Sequence, residues 1–226
     1  IVTVTDGDGD VATDSIAIGN AISFEDDGPT ASIGVTETTV TIDETAGNQN
    51  DDVTGPLAVF SGVADKSTDM LQFAQSAGAV VSSSGSSPGA DNEGATTKFS
   101  LEVNGDGSTS LTTTDGDSIT IALEDGLIVG RDEGGDAVFA VSINADTGVL
   151  SVVQYESLSH PDSPDEYDEA VDLDGLVNAI VTVTDGDGDV ATDSIAIGNT
   201  ISFEDDGPTA PSLQVRTAGA MTHDET

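Results

Sequence analysis

The sequence predicts an all-β chain folded as an antiparallel β-sandwich elaborated beyond seven strands, and three observations carry that expectation. Apolar residues recur with a period of two almost throughout, clusters of Gly, Asp, Asn and Ser interrupt them at short intervals, and no segment of helical length sustains a 3.6-residue period. A period of two puts successive side chains on opposite faces, so each such segment offers one apolar face to a core.

Taken along the chain, residues 1–5 read as a strand, 6–10 as an acidic turn and 14–24 as the return strand. Strands are expected next at 38–42 and 57–62, with at most a short helical turn at 69–74. The Gly, Ser and Pro segment at 82–89 breaks the alternation and reads as an exposed loop. Phe99, Leu101 and Val103 share one face against Lys98, Ser100 and Glu102, and Ile119, Ile121 and Leu123 repeat the pattern. Turn clusters at 104–107 and 144–148 set off further strands at 138–143, 149–154, 176–184 and 193–203. Phe60, Phe73, Phe99 and Phe139 fall in these patterns and read as core.

An internal repeat fixes the frame. Residues 1–30 recur at 180–209 with one change, Ala21 against Thr200, a period of 179 residues, and TIDET at 41–45 has a counterpart THDET at 222–226. The chain therefore divides into 1–28, the C-terminal hairpin and linker of a preceding module; 29–207, a complete module; and 208–226, the start of the next. The expected parent is a tandem array.

Charge narrows the partners. Four basic residues against 43 acidic ones leave a formal net charge of −39, which repels nucleic acid and anionic membrane surfaces. No apolar run approaches the ~20 residues that span a bilayer, so no membrane insertion is expected. With no Cys there are no disulfides, thiol nucleophiles or Cys-based zinc sites. The acids comprise 31 Asp and 12 Glu, and Asp favours turns and ligates hard cations, which points to Ca²⁺; an acidic coat set by a salty habitat is the plainer reading.

The repeated turn carries the strongest chemical signal. Asp185, Asp187 and Asp189 alternate with two glycines, as do their copies Asp6, Asp8 and Asp10. Carboxylates this close repel unless solvated or bridged, and Ca²⁺ takes six to eight oxygens at about 2.3–2.6 Å. Asp193, and Asp14 in the copy, follow closely enough to join. Counted from Asp185, the sixth and twelfth positions hold Val190 and Ala196, so this is not an EF-hand. A solvated Asp-Gly hairpin turn is the alternative.

A return strand of ~11 residues would run about 36 Å, placing the 185–189 tip at the pole where the chain enters through Asp26 and Asp27. Those two acids are expected to complete a shell begun at the tip, with Asp43 and Glu44 facing the same pole and Asp205 and Asp206 repeating the linker at the exit. The alternative is a solvated linker turn stiffened by proline.

The succession GVLSV at 148–152, Gln154-Tyr155, SHPD at 159–162, then VTVTDGDGDVATDSIAIG and ISFEDDGPT, resembles the tandem repeats of large repeats-in-toxin (RTX) adhesins exported by type I secretion, over roughly 57–207. The resemblance implies a secreted, extracellular Ig-like or cadherin-like sandwich on the bacterial cell surface. It would bind Ca²⁺ in loops and between neighbouring copies of the module, and extend a binding domain for attachment or biofilm formation.

An enzyme is not expected: His160 lies in an acidic loop, His223 in the terminal partial copy, and no GxSxG or HExxH occurs. Tyr155 and Tyr167 are the only tyrosines a sugar platform could use. Two readings stand beside each other, an extender module and a binding module that grips a glycan or other chains of the same protein in a fibre, the latter through strand addition by residues 1–24. One contiguous exposed patch from 82–95 and 156–169 would favour binding.

Overall fold

A computed structural model describes residues 1–45, 47, 49–160 and 169–206, an all-β structure with no α-helix among the described residues. The strands are β1 (Val2–Thr5), β2 (Val11–Asp14), β3 (Gly34–Val35), β4 (Val40–Asp43), β5 (Gln72–Ala79), β6 (Val81–Ser82), β7 (Thr96–Val103) and β8 (Ser108–Thr112). They continue with β9 (Ser118–Glu124), β10 (Leu127–Arg131), β11 (Ala137–Ile143), β12 (Val149–Gln154), β13 (Ala170–Asp172), β14 (Val177–Thr184), β15 (Val190–Ala196) and β16 (Ile201–Glu204).

One layer of the sandwich is a six-stranded sheet, β5-β12-β11-β10-β9-β8. Facing it are two three-stranded sheets, β15-β14-β7 and β13-β16-β4, which a single long hairpin joins. Its arms are β13 running into β14 and β15 running into β16. All pairings in the two layers are antiparallel except that of β16 with β4.

The return arm is not the continuous strand expected at 193–203. A 3₁₀ turn at Gly198–Thr200 interrupts it, so the arm leaves β14 and pairs with β13 and β4 instead. Two other expectations change as well. Residues 69–74 lead into β5 rather than a helical turn, and 57–62 contain the 3₁₀ turn Ala58–Phe60 rather than a strand.

Alternation decides burial where a strand is covered on one side: along β7, Phe99 and Leu101 are buried while Lys98, Ser100 and Glu102 are exposed. In β9, Ile119 and Ile121 are buried but Leu123 is exposed. β11 is buried at all seven positions because both faces are covered. Val138, Phe139 and Val141 face the main core with Phe203, whereas Ala137 and Ala140 pack in a second cluster with Phe60, Val63, Phe73 and Tyr155. The 53–63 segment supplies that outer cover.

The two copies of the repeat meet different environments. In the second copy Val181, Ile197, Ile201 and Phe203 are fully buried, and the Phe203 ring lies 4.9 Å from Phe139. Their counterparts Val2, Ile18, Ile22 and Phe24 are exposed, Phe24 by 96%. Phe203→Ala is therefore expected to cost about 3–5 kcal/mol in denaturant unfolding, as for other buried aromatics. Phe24→Ala should stay within about 0.5 kcal/mol, as an exposed substitution.

Candidate metal centre

The acidic tip between β14 and β15 folds by local rules. Asp185 Oδ1 accepts the amides of Gly188 (3.0 Å) and Asp189 (2.8 Å), and the Asp185 amide donates to the Asp189 carbonyl at 3.1 Å. The copy repeats this: Asp6 accepts Gly9 and Asp10 at 3.1 and 2.9 Å. Gly188 and Gly9 supply the positive φ, 107° and 101°, that the turn requires. Five residues thus suffice to form the loop, with or without a protein around it.

Tertiary context changes what the second loop holds. Asp185 is only 3% exposed, and its Oδ2 is buried without a hydrogen-bond partner. The loop docks on the segment after the Ser-rich turn: the Gly186 amide donates to the Asp91 carbonyl at 2.6 Å, and a Cβ on Gly186 would sit 2.4 Å from the Glu93 carbonyl oxygen. Asp185, Asp187 and Asp189 offer oxygens within 4.8 Å of one another.

The entry linker reaches the same place. Asp26, Asp91 and Asp187 also bring carboxylate oxygens within 4.8 Å, and Asp27 accepts the Ala90 amide at 2.8 Å. Burial alone would push Asp185 up, yet its side-chain contact with Asp187 and the bonds from the loop amides outweigh it and hold the group below the ordinary carboxylate range. The shared contact with Asp185 and the charge of Asp26 push Asp187 up; the charges of Asp185 and Asp26 do the same to Asp189. Among the described residues no lysine or arginine pairs with this group: Lys98 pairs with Asp146, Arg131 with Glu124, and Lys66 lies beside Ala137. An all-oxygen carboxylate set, one member buried with an orphan oxygen, fits a hard divalent cation of the calcium type.

Other sequence-predicted acids lie elsewhere. Asp193 sits opposite Val181 in the ladder and accepts the Ile33 amide at 3.0 Å, so it tethers the entry segment instead of joining the tip; Asp14 accepts only its neighbour Ser15. Asp43 and Glu44 do not face the tip pole. β4 runs parallel to β16, which carries them to the exit end, where Asp43 is in register with Glu204 and the Glu44 amide donates to the Glu204 carbonyl at 3.0 Å. Asp6, Asp8 and Asp10 also bring carboxylate oxygens within 4.8 Å of one another, but in the unpacked copy all three stay exposed, and Asp206 sits in the exit linker with its amide on Asp205 Oδ1.

Glu44, Asp205 and His160 form a separate cluster at that exit end, again within 4.8 Å. His160 is not a solvated loop residue: its side chain is 2% exposed and its Nε2 lies 4.0 Å from Glu44 Oε1. Burial lowers its pKa, but the Glu44 and Asp205 carboxylates outweigh burial and raise it. Sequence reasoning missed the parts played by Asp91 and His160. Asp91 had a weak signal, an acid directly after a Ser/Gly/Pro loop; His160 had none beyond its residue type. Of the two segments whose joint patch would favour binding, Asp91 lies at the tip and His160 at the exit, and 161–168 lie outside the described residues. Tyr155 is buried, its hydroxyl pushed up to about 12 by burial, and offers no platform. Tyr167, His223 and the 208–226 partial copy lie outside the described residues.

Fold and sites together define an acidic β-sandwich domain with a carboxylate cluster at each end. The family described as Domain of unknown function (DUF5801) matches residues 39–198, and the chain belongs to that family. The match runs from β4 through β15, so it contains the tip and its docking loop, while Asp26 and Asp205 lie outside it. No curated protein and no solved structure matches the chain.

Gly186→Ala drives a Cβ into backbone that cannot retreat, so it is expected to cost about 1–3 kcal/mol. Gly7→Ala, at the copy where nothing lies within 4 Å, should lack that steric penalty. Chemical denaturation of both variants checks the docking of the tip.

Proposed function

We propose that the domain is a calcium-stabilised extracellular structural repeat of a giant bacterial adhesin of the RTX type, an extender that stiffens an array for surface attachment or biofilm formation. The observation that carries the reading is the meeting of the entry-linker Asp26 with Asp91 and Asp187. Residues 1–28 belong, by the repeat, to the end of one module, and Asp91 and Asp187 to the body of the next. Asp26, Asp91, Asp185, Asp187 and Asp189 would hold the cation. A bound Ca²⁺ supplies the positive charge this group otherwise lacks, converting mutual repulsion into a clamp across the module boundary.

The chain's own residues prepare that clamp. Asp27 on Ala90, Asp193 on Ile33, and the Thr30–Ser87 bridge hold the entry segment against the loop and β15 without any ion. Cation binding then acts on an already aligned junction, so less ordering entropy opposes it. Clusters at the two ends, with no catalytic motif between them, suit a structural role rather than a catalytic one. A second reading, assembly into a fibre with other chains of the same protein, draws on the exposed apolar face of the β1–β2 hairpin, whose sequence is that of the β14–β15 hairpin, where alternate residues of β14 are buried in the core.

Ca²⁺ at 100 times its Kd would stabilise a site by about 2.7 kcal/mol. For a domain of this size that is a rise of roughly 5–10 °C in Tm over the same protein in EGTA. Asp187→Asn with Asp189→Asn should abolish most of the rise and Asp26→Asn part of it, whereas the matched pair Asp8→Asn with Asp10→Asn should change it little. Identical melting curves in Ca²⁺ and EGTA refute the calcium reading. Sedimentation with and without Ca²⁺ separates the extender, which stays monomeric, from the fibre, which does not.

A further inference from the structure

We infer that Glu44, His160 and Asp205 form a second, chemically different metal site, one for a divalent transition cation of the zinc class, at the exit end of the sandwich. It goes beyond the calcium reading and stands independently of it. Three chain segments that are remote in sequence bring their ligand atoms within 4.8 Å of one another: the end of β4, the loop after β12, and the linker after β16.

The imidazole distinguishes this cluster from an incidental group of surface acids. Its side chain is 2% exposed, and among the described residues neither Nδ1 nor Nε2 makes a hydrogen bond of normal length, although Glu44 and the Glu169 backbone lie close enough to raise its pKa. A buried polar group left without partners costs about 1–3 kcal/mol, so a buried ring whose nearest acceptors stand beyond hydrogen-bond length gains from a cation placed between them. The 4.0 Å from Nε2 to Glu44 Oε1 exceeds a hydrogen bond. Zn–N and Zn–O bonds of about 2.0–2.2 Å set at a tetrahedral angle hold two ligand atoms about 3.3–3.4 Å apart, so the pair closes by roughly half an ångström when the metal binds.

Glu44 is positioned for the task. Its side chain is 5% exposed, and Oε1 accepts both the Gln154 side-chain amide and the Leu158 backbone amide, the latter at 2.9 Å. Such outer partners fix a ligating carboxylate before the metal arrives. Asp205 is anchored through its own amide, which donates to the Glu169 carbonyl at 3.1 Å. One imidazole and two carboxylates form a three-ligand set of the kind zinc takes with a fourth position left open. Ca²⁺ prefers oxygen alone, so the imidazole selects against it.

The test uses the full chain, stripped of metal and then held in millimolar Ca²⁺ so that hard-oxygen sites are filled, and titrated with Zn²⁺ by calorimetry and with Co²⁺ by visible absorption. One Zn²⁺ per chain is expected, together with Co²⁺ d–d bands of the intensity that low coordination numbers give. Loss of an outer-shell partner costs about 10–100-fold in metal affinity, so His160→Ala, which removes a direct ligand, should lose more and should erase the bands. Asp205→Asn, an isosteric change in the linker, should weaken Zn²⁺ and alter the Co²⁺ spectrum even if His160→Ala fails to fold. Phe24→Ala, at an exposed position outside both clusters, should leave both readouts intact. A Zn²⁺ isotherm or Co²⁺ spectrum that is the same in wild type and Asp205→Asn, or in wild type and a folded His160→Ala, overturns the site.

Discussion

The burial of one long hairpin on the six-stranded sheet is the constraint on which the remaining structure depends. Val181, Val183, Ile197, Ile201 and Phe203 all point into the main core, and Phe203 meets Phe139 from the central strand of the opposite layer. Fixing these side chains fixes the two ends of the hairpin: its acidic tip at one pole, and the Glu204-Asp205 exit at the other. The break at Gly198–Thr200 lets the return arm change sheets, so that β16 can draw β4 alongside and deliver Glu44 to the exit. Both carboxylate clusters are thus consequences of how a purely apolar face is buried.

The linker aspartate is seen in both of its contacts. Asp26 and Asp205 occupy the same position in the repeat, 179 residues apart. As Asp26 it meets the tip acids of the body that follows it, and as Asp205 it meets Glu44 and His160 of the body that precedes it. In the proposed extender, a linker position in contact with the body on either side would leave little freedom for one module to swing against the next. Carboxylate oxygens alone gather on the first side and an imidazole joins on the second, so the two clusters differ in chemistry as well as in geometry.

Most of the −39 charge has no part in either cluster. The carboxylates within ligand distance at the tip and the exit are few, and the remaining described acids are largely at the surface, where water solvates them. Such a field keeps like surfaces apart and favours solubility over association. The charge is costly where acids crowd together, as at Asp187 and Asp189, whose carboxyls the neighbouring acids push up.

The local structure was legible in the sequence because it is set by neighbours along the chain. Alternation identified β7, β12 and β14, and five residues were enough to make the acidic loop, which forms identically at 6–10 in solvent and at 185–189 in the body. The repeat likewise located the linker acids. What alternation could not show was how many faces of a strand are covered: β11 is buried throughout because 53–63 lies over its outer side, and Leu123 is exposed despite its pattern. Nor could spacing show that Asp91 comes to the tip, that Glu44 goes to the exit, or that His160 joins it there, since those meetings depend on the parallel β4–β16 pairing and on loops closing between distant strands. Identical residues, Phe24 and Phe203, end at opposite extremes of exposure for the same reason: the sequence dictates which face of a strand is apolar, and only the tertiary structure supplies the surface that covers it.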